Sequence, residues 1–209
     1  MQHQARLIIS YDGLDKSYIL WNGTESYYKK LRAAYTDILN DKESDYLYFG
    51  FFTLCAATLE YSLNTVLTDY CVNKFGHDNY KSYAEGYINI SFAKKLLMSP
   101  HIISDGEFCF NEDNSSYKNL LELIALRNKI LHNKEFLKEI EFPSIADNLD
   151  KETIEFTLTK DADPIDKLNK DVCLNFGKSL GDFKKFIMDP SFNNELIENE
   201  MIKEYLEVN

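Results

Sequence analysis

One stretch of this chain leaves little choice of fold. From Tyr46 to Leu59 no residue is charged, and Glu60 ends the run. Fourteen residues are too few to cross a bilayer and suit a buried core helix. The same helix extends well beyond the run. Ser44 followed by Asp45 makes an N-terminal cap, and Gly76 lies just past Lys74 as a stop. Leu47, Phe51, Leu54, Leu59, Leu63, Val66 and Tyr70 fall along one broad face. Phe49, Ala56, Ala57, Leu67 and Cys71 form a second stripe. A helix that is apolar on both sides belongs in the middle of a bundle.

The rest of the chain supplies helices to surround it. The spacing of Tyr27, Leu31, Ala34, Tyr35 and Ile38 predicts a helix over 24–40, with Thr24 as N-cap. Short helical spacing over 91–98 ends before Pro100, and 103–116 reads as a loop. Further helices are expected over 116–140, closed by Pro143, and over 164–188, before Pro190. Residues 6–10 have strand character. So do 153–159, where Thr and Glu alternate with Ile154, Phe156 and Leu158; the two segments are candidates to pair. Only 8 Gly and 4 Pro occur in 209 residues, which argues against a turn-rich β fold. The expectation is one all-α domain over 1–209 with room for a small accessory β-hairpin. Its bundle core covers about 24–190, after an N-terminal extension (1–23) and before an acidic C-terminal helix or tail (191–209).

Charge narrows the function classes. With 23 Lys and Arg against 34 Asp and Glu, the net charge is −11. That disfavours a general nucleic-acid coat or a membrane-surface protein, while leaving room for a local basic site. No basic and apolar leader opens the chain, and the four cysteines show no CxxC spacing. Both fit a cytoplasmic protein with reduced thiols. Phe176-Gly177-Lys178-Ser179 resembles the end of a phosphate-binding loop, but Val172 stands where that loop needs glycine. Neither a cofactor nor a metal is expected from the motifs.

The information is concentrated in the helix predicted over 116–140. At about 100° per residue, Leu120, Leu123, Ile124, Ile130 and Leu131 all lie within about 60° of Arg127. A guanidinium centred on an apolar stripe must be paired or must line a site, because an uncompensated buried charge is costly. Glu60 is the candidate partner. A second stripe runs through Leu121, Ala125, Asn128, His132 and Phe136. Its two sides call for two partners, the bundle and a second copy of the chain. The flanks carry Lys118, Lys129, Lys134 and Lys138, which makes this helix basic within an acidic chain.

Arg127-Asn128-Lys129-Ile130-Leu131-His132 resembles the R-x4-H signature of the HEPN superfamily. The stretch from Ala57 to Asn64 resembles the first long helix of that family, and Lys94-Lys95-Leu96-Leu97 its short connecting helix. The resemblance covers about residues 45–140, or to about 188 with the following helix. It implies an all-α bundle that dimerises and a metal-independent endoribonuclease acting in toxin–antitoxin systems or phage defence. His132 would move the proton, Arg127 would stabilise charge on the phosphate, and Asn128 would orient His132 or touch phosphate. Glu60 would support Arg127, and Lys129 and Lys134 would contact phosphate. RNA, tRNA among its classes, would be the substrate, with an antitoxin or a nucleotidyltransferase-like protein as partner. The alternative is an inactive binding or regulatory module of the same fold, in which Arg127 and Glu60 form a structural pair and His132 is an interface residue.

Overall fold

The long helix is present and sits at the centre. In the computed structural model, which describes residues 5–8, 18–21, 23–40, 44–131, 140–141, 157–158, 164–188 and 200–205, helix α2 spans Asp45–Phe75. Ser44 Oγ accepts from the Leu47 N–H at 3.3 Å and opens it. Gly76, at φ +76°, closes it where a Cβ would be strained. Phe51, Phe52, Cys55, Leu59, Leu63, Leu67 and Cys71 are all buried. Thr53, Thr58, Thr65 and Thr68 each donate to the carbonyl four residues back, so their hydroxyls are satisfied within the helix.

Around α2 pack α1 (Thr24–Leu39), α3 (Tyr80–Ile88), α4 (Phe92–Ile103), α5 (Ser115–Leu131) and α6 (Lys170–Met188). The fold is an all-α bundle with small accessory β pairs. Helix α6 contributes Cys173, Phe176, Leu180, Phe183 and Phe186 at helical spacing, and α5 contributes Leu120, Leu123 and Ile124. Asn114 Oδ1 accepts from the Tyr117 N–H and Asn169 Oδ1 from the Val172 N–H, which caps α5 and α6.

Several expectations need correction. Thr24 is the first helical residue rather than the cap; Gly23 precedes it, and its N–H donates to Tyr61 Oη at 3.2 Å. Helix α4 does not stop before Pro100 but runs through it. The Leu96 carbonyl, deprived of a donor at position 100, accepts from Ser99 Oγ at 3.0 Å. The helix expected to reach residue 140 does not: Ile140–Glu141 is a strand, β4, paired antiparallel with β5 (Thr157–Leu158). The strand pattern at 153–159 therefore finds its partner there and not at 6–10. Strand β1 (Ala5–Ile8) forms a hairpin with β2 (Tyr18–Trp21). The loop over 103–116 contains β3 (Phe108–Phe110), and the acidic segment expected as a C-terminal helix or tail contains β6 (Ile202–Glu204), its antiparallel partner. The cause is apolar: Phe108, Phe110, Met201 and Ile202 are buried, so the ribbon joins the core from beyond residue 190. The helix expected over 164–188 is divided into a 3-10 turn, Pro164–Lys167, and α6.

The α1–α2–α6 contact depends on Gly177. A Cβ there would lie 2.5 Å from Tyr35 Cδ2 and 3.2 Å from Phe51 Cζ, whereas at Gly181, on the same helix, it would meet nothing within 4 Å. Gly177→Ala should cost about 1–3 kcal/mol by overpacking, while Gly181→Ala should gain up to about 1 kcal/mol from helix propensity, both read from urea unfolding. Burial also pushes the Cys55 thiol well up, and pushes Cys173 from its ordinary 9.0 to about 12. The folded state thus holds protons that the unfolded chain releases. Their contribution to stability is full below pH 9.0 and is lost as pH rises towards about 12. The urea midpoint should fall along that limb, and less steeply in Cys173→Ser.

Candidate functional site

Glu60 is the first charge after the apolar run of α2, and one turn later comes Asn64. Helix α4 brings Phe92 and Lys95 against them, and α5 brings Arg127 and Asn128. Glu60 Oε2 lies 3.5 Å from an Arg127 terminal nitrogen, and Oε1 lies 3.9 Å from Lys95 Nζ. Lys95 Nζ donates to Asn64 Oδ1 at 2.8 Å. The other Arg127 terminal nitrogen donates to Asn128 Oδ1 at 3.1 Å. The guanidinium carbon stands 5.8 Å from the centroid of the Phe92 ring, a cation–π contact.

The three charges differ in access. The Lys95 side chain is 4% exposed, that of Arg127 22% and that of Glu60 36%. Burial lowers the Lys95 pKa from its ordinary 10.5, with Arg127 pushing the same way and Glu60 opposing. Two cations share one carboxylate, so the cluster keeps a net positive charge within a chain of −11. A partly exposed guanidinium backed by a buried ammonium is chemically suited to an anion with oxygens to offer.

Of the residues singled out on the sequence, the structure brings together Arg127, Asn128 and Glu60. Lys129 is exposed on α5. His132 and Lys134 lie outside the described residues. The second stripe of α5 is only partly apolar in its surroundings: Leu121 is half-buried, while Ala125 and Asn128 are exposed. Phe136 lies outside the described residues. Lys95, Asn64 and Phe92 are additions that the sequence argument did not assign. Lys95 had a signal of the same kind as Arg127: it lies between Phe92, Leu96 and Ser99 on the buried side of α4. Among the described residues no group of three or more His, Cys, Asp or Glu side chains is arranged to hold a metal ion, and no helix is long and apolar enough to cross a membrane.

No protein-family model, curated protein or solved structure matches this chain. What the cluster can bind follows from its own chemistry. Its stability follows too. Asn64→Leu strips Lys95 of its hydrogen-bond acceptor and should cost about 1–3 kcal/mol in urea unfolding. Adding Lys95→Met should recover most of that loss, because an apolar pair then fills the same volume.

Proposed function

We propose that this chain is a metal-independent endoribonuclease of the HEPN type, with a composite site formed where two copies meet. The observation that carries the reading is the placement of Arg127. It is partly exposed on α5, lies over Phe92, is held by Glu60 and Asn128, and has Lys95 behind it. Arginine suits a phosphodiester because its planar fork matches two phosphate oxygens.

In the proposed reaction the RNA 2′-oxygen attacks its own 3′-phosphorus. The bond to the 5′-oxygen of the next nucleotide breaks, leaving a cyclic phosphate and a 5′-hydroxyl. His132 carries the proton from the 2′-hydroxyl to the departing oxygen, so atoms and charge balance without a co-reactant. Arg127 bears the charge gathered on the phosphoryl oxygens. Asn128, exposed beside Arg127, orients His132 or the phosphate, and Lys129 and Lys134 hold the flanking backbone. The cellular setting that suits such an enzyme is a cytoplasmic toxin–antitoxin or phage-defence system, with tRNA among the candidate substrates and an antitoxin or nucleotidyltransferase-like protein as its partner.

A second reading is favoured by one observation. Glu60 already engages Arg127, as it would in an inactive module whose charge pair serves the fold and whose partner is a protein.

The two part in a cleavage assay on labelled total RNA and tRNA in EDTA, with oligomeric state measured alongside. Wild type should cut, and His132→Ala and Arg127→Ala should each lose at least about a hundredfold while remaining folded. A folded wild-type dimer that leaves every RNA intact would establish the binding module instead.

A further inference from the structure

The Glu60 carboxylate is divided between two cations and closes tightly on neither. Charge-assisted N–H···O bonds normally settle at about 2.7–2.9 Å. Here Glu60 lies 3.5 Å from Arg127 and 3.9 Å from Lys95. Lys95 has unused capacity for it. An ammonium carries three donors, and among the described residues only Asn64 Oδ1 accepts from it within hydrogen-bond distance. Lys95 is nearly sealed from water, so solvent cannot readily supply the other acceptors. Glu60, at 36% exposed, has room to move.

We propose that Lys95 is a positioning residue that draws Glu60 away from Arg127 when an anionic phosphate oxygen arrives at the guanidinium. The incoming charge repels the carboxylate. Glu60 then closes on Lys95, accepting from its remaining N–H donors, and Arg127 turns its fork to the phosphate. Without Lys95 the carboxylate has one cation and competes with the ligand for it. Lys95 thus governs anion binding from behind Glu60, with no contact to the ligand. The proposal rests on Arg127 as the phosphate-contacting group of the proposed function.

The test uses the whole chain and inorganic phosphate as probe. Solvent exchange of the Arg127 Nε–H, assigned by Arg127→Lys, is followed by NMR, and phosphate is titrated against the same signal. In the ligand-free protein, Lys95→Met should slow this exchange, because Glu60 closes on Arg127, and Glu60→Gln should speed it. Lys95→Met should weaken phosphate binding by about tenfold, and Glu60→Gln should tighten it. In the Glu60→Gln background the same Lys95 change should weaken binding about threefold or less, leaving only the lost long-range charge. Lys95→Gln, which keeps a donor for Asn64, repeats the series should Lys95→Met fail to fold. An equal loss in both backgrounds overturns the proposal, and so does unaltered exchange in the Lys95 variants or a wild type that binds no phosphate. The ribonuclease reading fails separately: phosphate binding with this pattern but no RNA cleavage removes the enzyme and keeps the shared carboxylate, whereas cleavage with additive losses does the reverse.

Discussion

A helix as apolar as α2 must be covered over most of its surface, and α2 imposes that demand on the whole chain. Its apolar run keeps only a narrow exposed stripe through Tyr46, Gly50 and Ala57, and α1, α3, α4, α5 and α6 are all drawn against the rest of the helix. The demand changes character at Glu60. A carboxylate on a helix of this kind needs either water or cations, and at 36% exposure it has some of each. Lys95 and Arg127 arrive from two different helices to meet it. The site is therefore located by the core: it lies where the apolar run of the central helix ends in a charge that its neighbours answer.

Much of the bundle was legible because its strongest signals are local. Ser44 and Gly76 delimit α2, and its apolar content calls for a mostly buried environment. The helices α1, α5 and α6 follow from apolar spacing. The short elements were not legible, since their causes are not local. Whether Phe108 and Phe110 form a loop or a strand depends on Ile202, about ninety residues away, and the apolar Met201-Ile202 pair is outweighed in the sequence by its acidic neighbours. Pro100 misled for a similar reason: the helix survives it because Ser99 answers the Leu96 carbonyl. Helix α3 went unassigned because only Ala84 among its residues is buried, leaving a faint apolar period.

The candidate site was half legible. Arg127 announced itself by standing on an apolar stripe, and Glu60 by ending one. Lys95 obeys the same rule, but a helix expected to stop before Pro100 offered too little of a stripe to show a lysine out of place. Asn64 and Phe92 gain meaning only from what they touch, and no spacing within one helix reveals that.

The electrostatic core of this account is a buried ammonium kept charged by one shared carboxylate. It is tested most directly by titrating the Lys95 amine through its side-chain nitrogen resonance, in wild type and in Glu60→Gln. The account predicts a midpoint below the ordinary 10.5, and a further drop when the Glu60 charge is removed. A midpoint at the ordinary value that ignores the loss of Glu60 would contradict it.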